Sequence, residues 1–202
     1  LTSGKRKSKN RNSYGGAELS YEIDTLNLIT AELTPYGGFF ESTSNQSYSL
    51  TGNNAPLSYQ LLGESRYDWG GLDATLNYQK GFKSSKDRLL TFSYKTNHSK
   101  EPQENDNIFI NRQNFTSPDY RQTNDSRSKE QTIQVDYVHP FKKLNIEGGI
   151  KGILRDNNSN FEYSSFNEGT GNYEVNPAMT NKFDNNQDIV GAYNSYSYNL
   201  KD

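Results

Sequence analysis

Residues 144–154 read LNIEGGIKGIL, and this run decides the fold. Leu144, Ile146, Gly148, Ile150, Gly152 and Leu154 set apolar or small side chains on one face, while Asn145, Glu147, Gly149, Lys151 and Ile153 make the other mostly polar. Successive side chains of a strand point to opposite faces, so this is a period of two and not the 3.6 of a helix. The pattern persists for eleven residues, close to the ~9–11 that a tilted strand needs to cross the hydrocarbon layer. An ordinary soluble strand averages only ~5–6 residues. With Leu144, Ile146, Ile150 and Leu154 toward lipid, Glu147 and Lys151 fall toward a lumen.

The same alternation recurs on both sides of this run. GLDATLNYQK (71–80) sets Leu72, Ala74, Leu76 and Tyr78 against Asp73, Thr75, Asn77 and Gln79, and RLLTFSYKT (88–96) sets Leu90, Phe92 and Tyr94 against Thr91, Ser93 and Lys95. The short polar GFKSSKD (81–87) between them suits a hairpin. QTIQVDYVHP (131–140) groups Ile133, Val135 and Tyr137, then passes through PFKK into the 144–154 run. Near the start, Ala17, Leu19, Tyr21 and Ile23 share a face, a turn follows at Asp24 and Thr25, and Ile29, Ala31 and Leu33 share the next. QDIVGAYNSYSYNLKD closes the chain with Val190, Ala192, Asn194, Tyr196 and Tyr198 against Ile189, Gly191, Tyr193 and Ser195.

This reading places seven strands near 14–23, 26–42, 70–82, 87–98, 129–139, 143–163 and 181–199, with the next short turn beginning at 201–202. Short turns fall near 24–25, 83–86 and 140–142; long polar loops are expected near 43–69, 99–128 and 164–180. Short and long connections in alternation are the habit of transmembrane barrels, with short periplasmic turns and long extracellular loops. An odd strand number does not close the usual bacterial barrel, and open edges are costly in lipid. The expected architecture is therefore all-β and antiparallel, a seven-strand piece of a larger transmembrane β-barrel.

Composition agrees with that expectation. Only 31% of residues are hydrophobic, against roughly 45–50% in globular domains. Mean hydropathy is strongly negative, which raises disorder as a rival, but a net charge of −2 and 13% aromatic residues are unlike a disordered chain. A barrel needs an apolar residue only at every second strand position, while lumen and loops stay polar. There is no cysteine, which removes disulfides, zinc–thiolate centres and thiol nucleophiles from consideration. No run of ~18 apolar residues marks a spanning helix. The opening GKRKSKNR has no apolar segment behind it, so it is not a secretory signal.

The run QTIQVDYVHPFKKLNIEGGIKGILRDNNSNFEY, followed by FDNNQDIVGAYNSYSYNLKD, resembles the outer-membrane β-barrel family found in the C-terminal part of TonB-dependent receptors. The residues that carry the resemblance are Asp136-Tyr137 before Pro140-Phe141, the small Gly148, Gly149 and Gly152, Arg155, and the strand from Gln187 to Tyr196. The resemblance implies a barrel of ~22 strands with an N-terminal plug that is not in this chain, in the outer membrane of a Gram-negative cell. It also implies uptake of a nutrient ligand bound by extracellular loops and plug. The partners implied are outer-membrane lipid, the rest of the barrel and plug, an inner-membrane energy-coupling protein reached through that plug, and a surface lipoprotein.

Specific chemistry is sparse. His98 and His139 are the only histidines; each sits at a predicted strand end without the three or four convergent donors of a metal site, so they read as interfacial or loop residues. Asp156, Asn158 and Asn160 start like a calcium loop, but Phe161 stands where glycine is required, and a strand-to-loop transition is the better reading. No GxSxG, P-loop or dinucleotide motif occurs, so no cofactor is expected, and a barrel-borne enzyme is a remote rival. Lys5, Arg6, Lys7, Lys9 and Arg11 read as a solvated loop end and not as a nucleic-acid contact, since the overall charge is slightly negative. Among the aromatic residues expected in loops, Tyr48 included, Tyr59, Tyr67, Trp69, Phe109, Phe115 and Tyr120 are candidates for ligand contact, against the plain alternative of the aromatic girdles that every barrel carries. The main competing function is a soluble or surface-displayed β-rich module that binds glycan or protein.

Overall fold

The computed structural model describes residues 1–52 and 55–198 and contains one antiparallel ten-stranded sheet. The strands are β1 (Thr2–Tyr14), β2 (Ala17–Asp24), β3 (Asn27–Leu50), β4 (Leu57–Phe82), β5 (Ser85–Lys100), β6 (Gln103–Gln113), β7 (Tyr120–Phe141), β8 (Leu144–Asn167), β9 (Asn172–Val175) and β10 (Asn181–Tyr198). Several are halves of one longer row. Both β1 and β2 pair with β3, one on each side of Gly15 and Gly16, and Gly15 N–H still donates to Pro35 O at 3.0 Å across the break. Likewise β5 and β6 both pair with β4 and β7; Pro102 interrupts them, yet its carbonyl accepts from Asp68 N–H at 2.9 Å. The sheet order is β1-β3-β4-β5-β7-β8-β10, so neighbours in sequence are neighbours in space.

At one end the hairpins are tight. Residues 25–26, 83–84 and 142–143 join β2 to β3, β4 to β5 and β7 to β8. Asp24 fixes the first by accepting Leu26 N–H at 2.7 Å and the Asn27 amide at 2.8 Å, a side-chain capture typical of aspartate in turns. The Leu26 N–H holds the Asp24 carboxyl below its ordinary value, with Asn27 assisting. Lys142 supplies a φ of 56° to the third turn.

At the far end the structure corrects the expected loops. Most of 43–69 and 99–128 is paired strand: β3 and β4 remain in register from Asn27↔Lys80 to Leu50↔Leu57, and β6 fills much of the second segment. Residues 51–52, 55–56, 114–119, 168–171 and 176–180 remain outside strands. The polar, Asn- and Ser-rich composition of these segments read as loop, whereas ladder hydrogen bonds to equally polar neighbours hold them extended. The basic stretch around Lys5–Arg11 is likewise strand β1 and not a loop end, and Asp156, Asn158 and Asn160 lie along the extended interior of β8 rather than at a strand-to-loop transition. The turn expected at 201–202 falls outside the described residues.

Because paired residues in a ladder share a face, register sorts the whole sheet. The row Tyr21–Ile29–Tyr78–Phe92–Val135–Ile150–Ala192 runs through β2, β3, β4, β5, β7, β8 and β10, and the row beside it contains Leu19, Ala31, Leu76, Tyr94, Ile133, Gly152 and Val190. One face thus bears a continuous apolar band. The opposite face at the same level carries Thr30, Glu32, Asp73, Thr75, Asn77, Gln134, Asp136, Glu147 and Lys151, cross-linked by bonds such as Gln134 to Asp136 at 3.0 Å and Tyr193 to Asp136 at 2.7 Å.

There is no interior between layers. Among the described residues the buried side chains are Ser42 and Ser164, and no apolar side chain is buried; Ile150 is 61% exposed and Val190 82%. The accessible surface is 14294 Å², about half as much again as the ~9,600 Å² of a compact 23.0 kDa monomer. Burial of apolar area in water cannot hold such a sheet together; its apolar face requires another apolar phase.

Candidate functional site: an aromatic cluster on the polar face

Toward the far end of the sheet, the polar face changes character. Tyr59 of β4 stacks on Tyr48 of β3 with ring centroids 4.8 Å apart, stacks on Phe115 at 4.1 Å and meets Phe109 of β6 edge-on at 5.4 Å. Phe109 lies 4.8 Å from Phe115 and 6.1 Å from Tyr120 of β7, which stacks on Tyr163 of β8 at 5.4 Å. Six half-buried rings therefore run across five rows of backbone. Aromatic pairs in this distance range contribute roughly 0.5–1.5 kcal/mol each beyond area burial.

The cluster is held by polar contacts at its margin. Asp119 accepts the Phe109 N–H at 2.7 Å and pairs with the Arg112 guanidinium, which also donates to Phe109 O at 2.9 Å. Asn111 and Asn114, each with a φ of 53°, donate to Gln60 at 2.9 Å and to Pro56 O at 2.7 Å. These bonds fix the connection 114–119 and hence Phe115 over Tyr59. Burial pushes the Tyr120 phenol above its ordinary value, so it is an un-ionised hydroxyl at neutral pH.

Of the six sequence candidates, the structure brings four together: Tyr59, Phe109, Phe115 and Tyr120. Tyr67 and Trp69 share the same face of β4 but lie eight and ten positions along it, some 25–35 Å away at ~3.3 Å per residue. Tyr67 donates to Glu101 at 3.1 Å; burial, and then this bond, raises its pKa. Trp69 packs on Tyr36 at 6.3 Å, with the opposite backbone at Gly38. The expectation that the candidates sit in loops is corrected for all but Phe115. Tyr163 was not legible as a partner, because only the register Gln122↔Tyr163 places it beside Tyr120.

The histidines are far apart. His98 is exposed on β5 opposite Lys129, whereas His139 is near the turn end of β7 with Nδ1 3.1 Å from the Tyr137 hydroxyl. Asp156, Asn158 and Asn160 are spread along one face of β8 and do not encircle an ion. Among the described residues no group of three potential metal ligands converges.

One antiparallel sheet, apolar on one face and polar on the other, with tight turns at a single end, defines an outer-membrane β-barrel protein. The chain belongs to the Outer membrane protein beta-barrel family, whose model matches residues 80–202. The match contains every residue that carried the resemblance noted in the sequence, and it places the protein in the Gram-negative outer membrane. Among solved structures, the ferric yersiniabactin uptake receptor of Yersinia pestis has a similar fold, with a TM-score of 0.52 at 13% identity. The alignment covers 96% of this chain and 36% of that receptor, so the chain spans just over a third of its length. No curated protein matches the sequence.

Proposed function

We propose that this sheet is part of the wall of a TonB-dependent outer-membrane receptor that takes up a nutrient ligand, and that the aromatic cluster contacts the ligand. The observation that carries the reading is the division of one sheet into an apolar band and a polar face. In lipid the band meets hydrocarbon, and the polar face lines a lumen. The turn end then lies in the periplasm and the far end outside the cell, which sets the Tyr59 cluster at the outer mouth. Stacked aromatics fixed by hydrogen bonds offer flat apolar surface beside amide and hydroxyl groups, the usual make-up of a ligand site. β1 and β10 end the sheet, so each would pair with further strands of the same barrel. A plug within that barrel, the inner-membrane energy coupler and a surface lipoprotein are the partners this function implies.

The test uses the full-length protein in its own cells. Deletion should abolish growth on one nutrient, uptake should stop when the proton-motive force is dissipated, and Tyr59→Ala should lower uptake roughly 10-fold, as expected for loss of about two aromatic contacts. Uptake that persists without the proton-motive force would reject energy-coupled transport. Unchanged uptake in Tyr59→Ala would remove the cluster from the ligand path.

A further inference from the structure

On the apolar face of β5 the sequence of side chains toward the far end is Leu90, Phe92, Tyr94, Thr96, His98 and Lys100; on β7 it is Tyr137, Val135, Ile133, Gln131, Lys129 and Arg127. Both strands therefore pass from hydrocarbon-like to uncharged polar to basic at the same level. The register pairs His98 with Lys129 and Lys100 with Arg127, and all four are exposed. Directly opposed side chains stand ~4.5–5.5 Å apart, and same-face neighbours along a strand about 7 Å. Four nitrogen-bearing side chains thus frame one small rectangle at the rim of the band.

Charge matching sets this rectangle apart from the cations beyond it on β4 and β7. On β4 and β7 beyond the band, the other cations of this face are held by carboxylates: Arg66 lies between Glu41 at 2.5 Å and Asp68 at 2.6 Å, and Arg121 holds Asp106 at 2.5 Å, whereas Lys5, Lys7, Lys9 and Arg11 share the face on β1, at the edge of the sheet and away from the rectangle. Within the rectangle, Arg127 alone has such a partner among the described residues, Asp125 at 2.7 Å. Asp156 stands opposite Lys129 on β8 without forming an ion pair, and Lys100 and Lys129 make none among the described residues. Like charges directly opposed across a ladder are destabilising, so Lys100 beside Arg127 calls for an external anion.

We infer that His98, Lys100, Arg127 and Lys129 form a binding patch for the phosphate groups of outer-leaflet lipid. A phosphate monoester carries about −1.5 to −2 charges and three acceptor oxygens, enough to engage donors from both strands at once. At the edge of the hydrocarbon, a lipid is the phosphate carrier whose acyl chains would lie on Phe92, Tyr94, Ile133 and Val135 while its headgroup reaches the rectangle. The long lysine stems reach along the surface from such positions. This inference rests on the orientation proposed above.

The experiment uses the full-length protein in phosphatidylcholine vesicles, with and without phosphorylated lipid A, and follows thermal unfolding. Phosphorylated lipid A should raise the Tm, and Lys100→Gln/Lys129→Gln should lose at least half of that rise while leaving Asp125–Arg127 intact. Lys129→Gln alone should lose a smaller part and serves if the double variant does not fold. Lys95→Gln, on the opposite face of β5, should behave as the wild type. An equal rise in the wild type and the lysine variants overturns the patch. So does an equal rise with dephosphorylated lipid A, or with inorganic phosphate alone. If Lys95→Gln abolishes the rise instead, the orientation itself fails, which separates the two conclusions.

Discussion

Ile150 and Lys151 are consecutive on β8 and meet different surroundings. Ile150 lies between Val135 and Ala192 in the apolar band; Lys151 lies between Gln134 and Gly191 on the polar face. A charged side chain near the bilayer midplane costs roughly 2–4 kcal/mol in a barrel wall, while a lumen position tolerates charge. Ile150→Arg should therefore lower folding stability of the full-length protein in lipid vesicles by about that amount, and Lys151→Arg should change it by less than about 0.5 kcal/mol. Urea titration monitored by resistance to protease measures both. Small, equal effects would refute the facing.

Between β3 and β4, glycine and aromatic positions are interlocked. Tyr36 faces Gly71 and Trp69 faces Gly38 in consecutive polar-face rows. A Cβ at Gly38 would strike the Arg11 carbonyl of β1 and stand 2.8 Å from the Trp69 ring, and one at Gly71 would strike the His98 carbonyl of β5 and stand 2.6 Å from the Tyr36 hydroxyl. Each ring covers backbone that a side chain would otherwise occupy, a recurrent way of bracing glycine in a sheet. Gly38→Val should displace both Trp69 and the β1 backbone at Arg11, and cost about 1–3 kcal/mol, as overpacking does. Trp69 is the only tryptophan, so its fluorescence reads the change directly: a red-shifted emission in the folded variant is expected, and an unchanged spectrum would show that the ring is not confined there.

As a whole, the molecule is one layer with two open edges. Among the described residues, β1 and β10 each present a row of backbone donors and acceptors with no partner strand beyond them, and nothing packs on the apolar band. Released into water without detergent, the chain should associate through those edges and that band. Size-exclusion chromatography with light scattering should find polydisperse assemblies; a monodisperse monomer with a cooperative melt would favour a soluble binding module instead.

How far the sequence reaches differs between these scales. Strict alternation in residues 71–80, 88–96, 131–140 and 144–154 was enough to set strand type and facing, because a period of two is a local property of the chain. It also separated tight turns from the other connections. It failed where both faces are polar, as in 43–69 and 99–128, since without an apolar stripe nothing local tells a paired strand from a loop. The aromatic candidates were visible as residue types, but that Tyr59 meets Tyr48 and Phe115, that Tyr163 joins Tyr120, and that Trp69 stands apart depend on register over long sequence separations. The sequence by itself determined a membrane-type β-sheet with one apolar face; only the tertiary structure decided which aromatic and basic residues share a site, because ladder pairing brings together residues tens of positions apart.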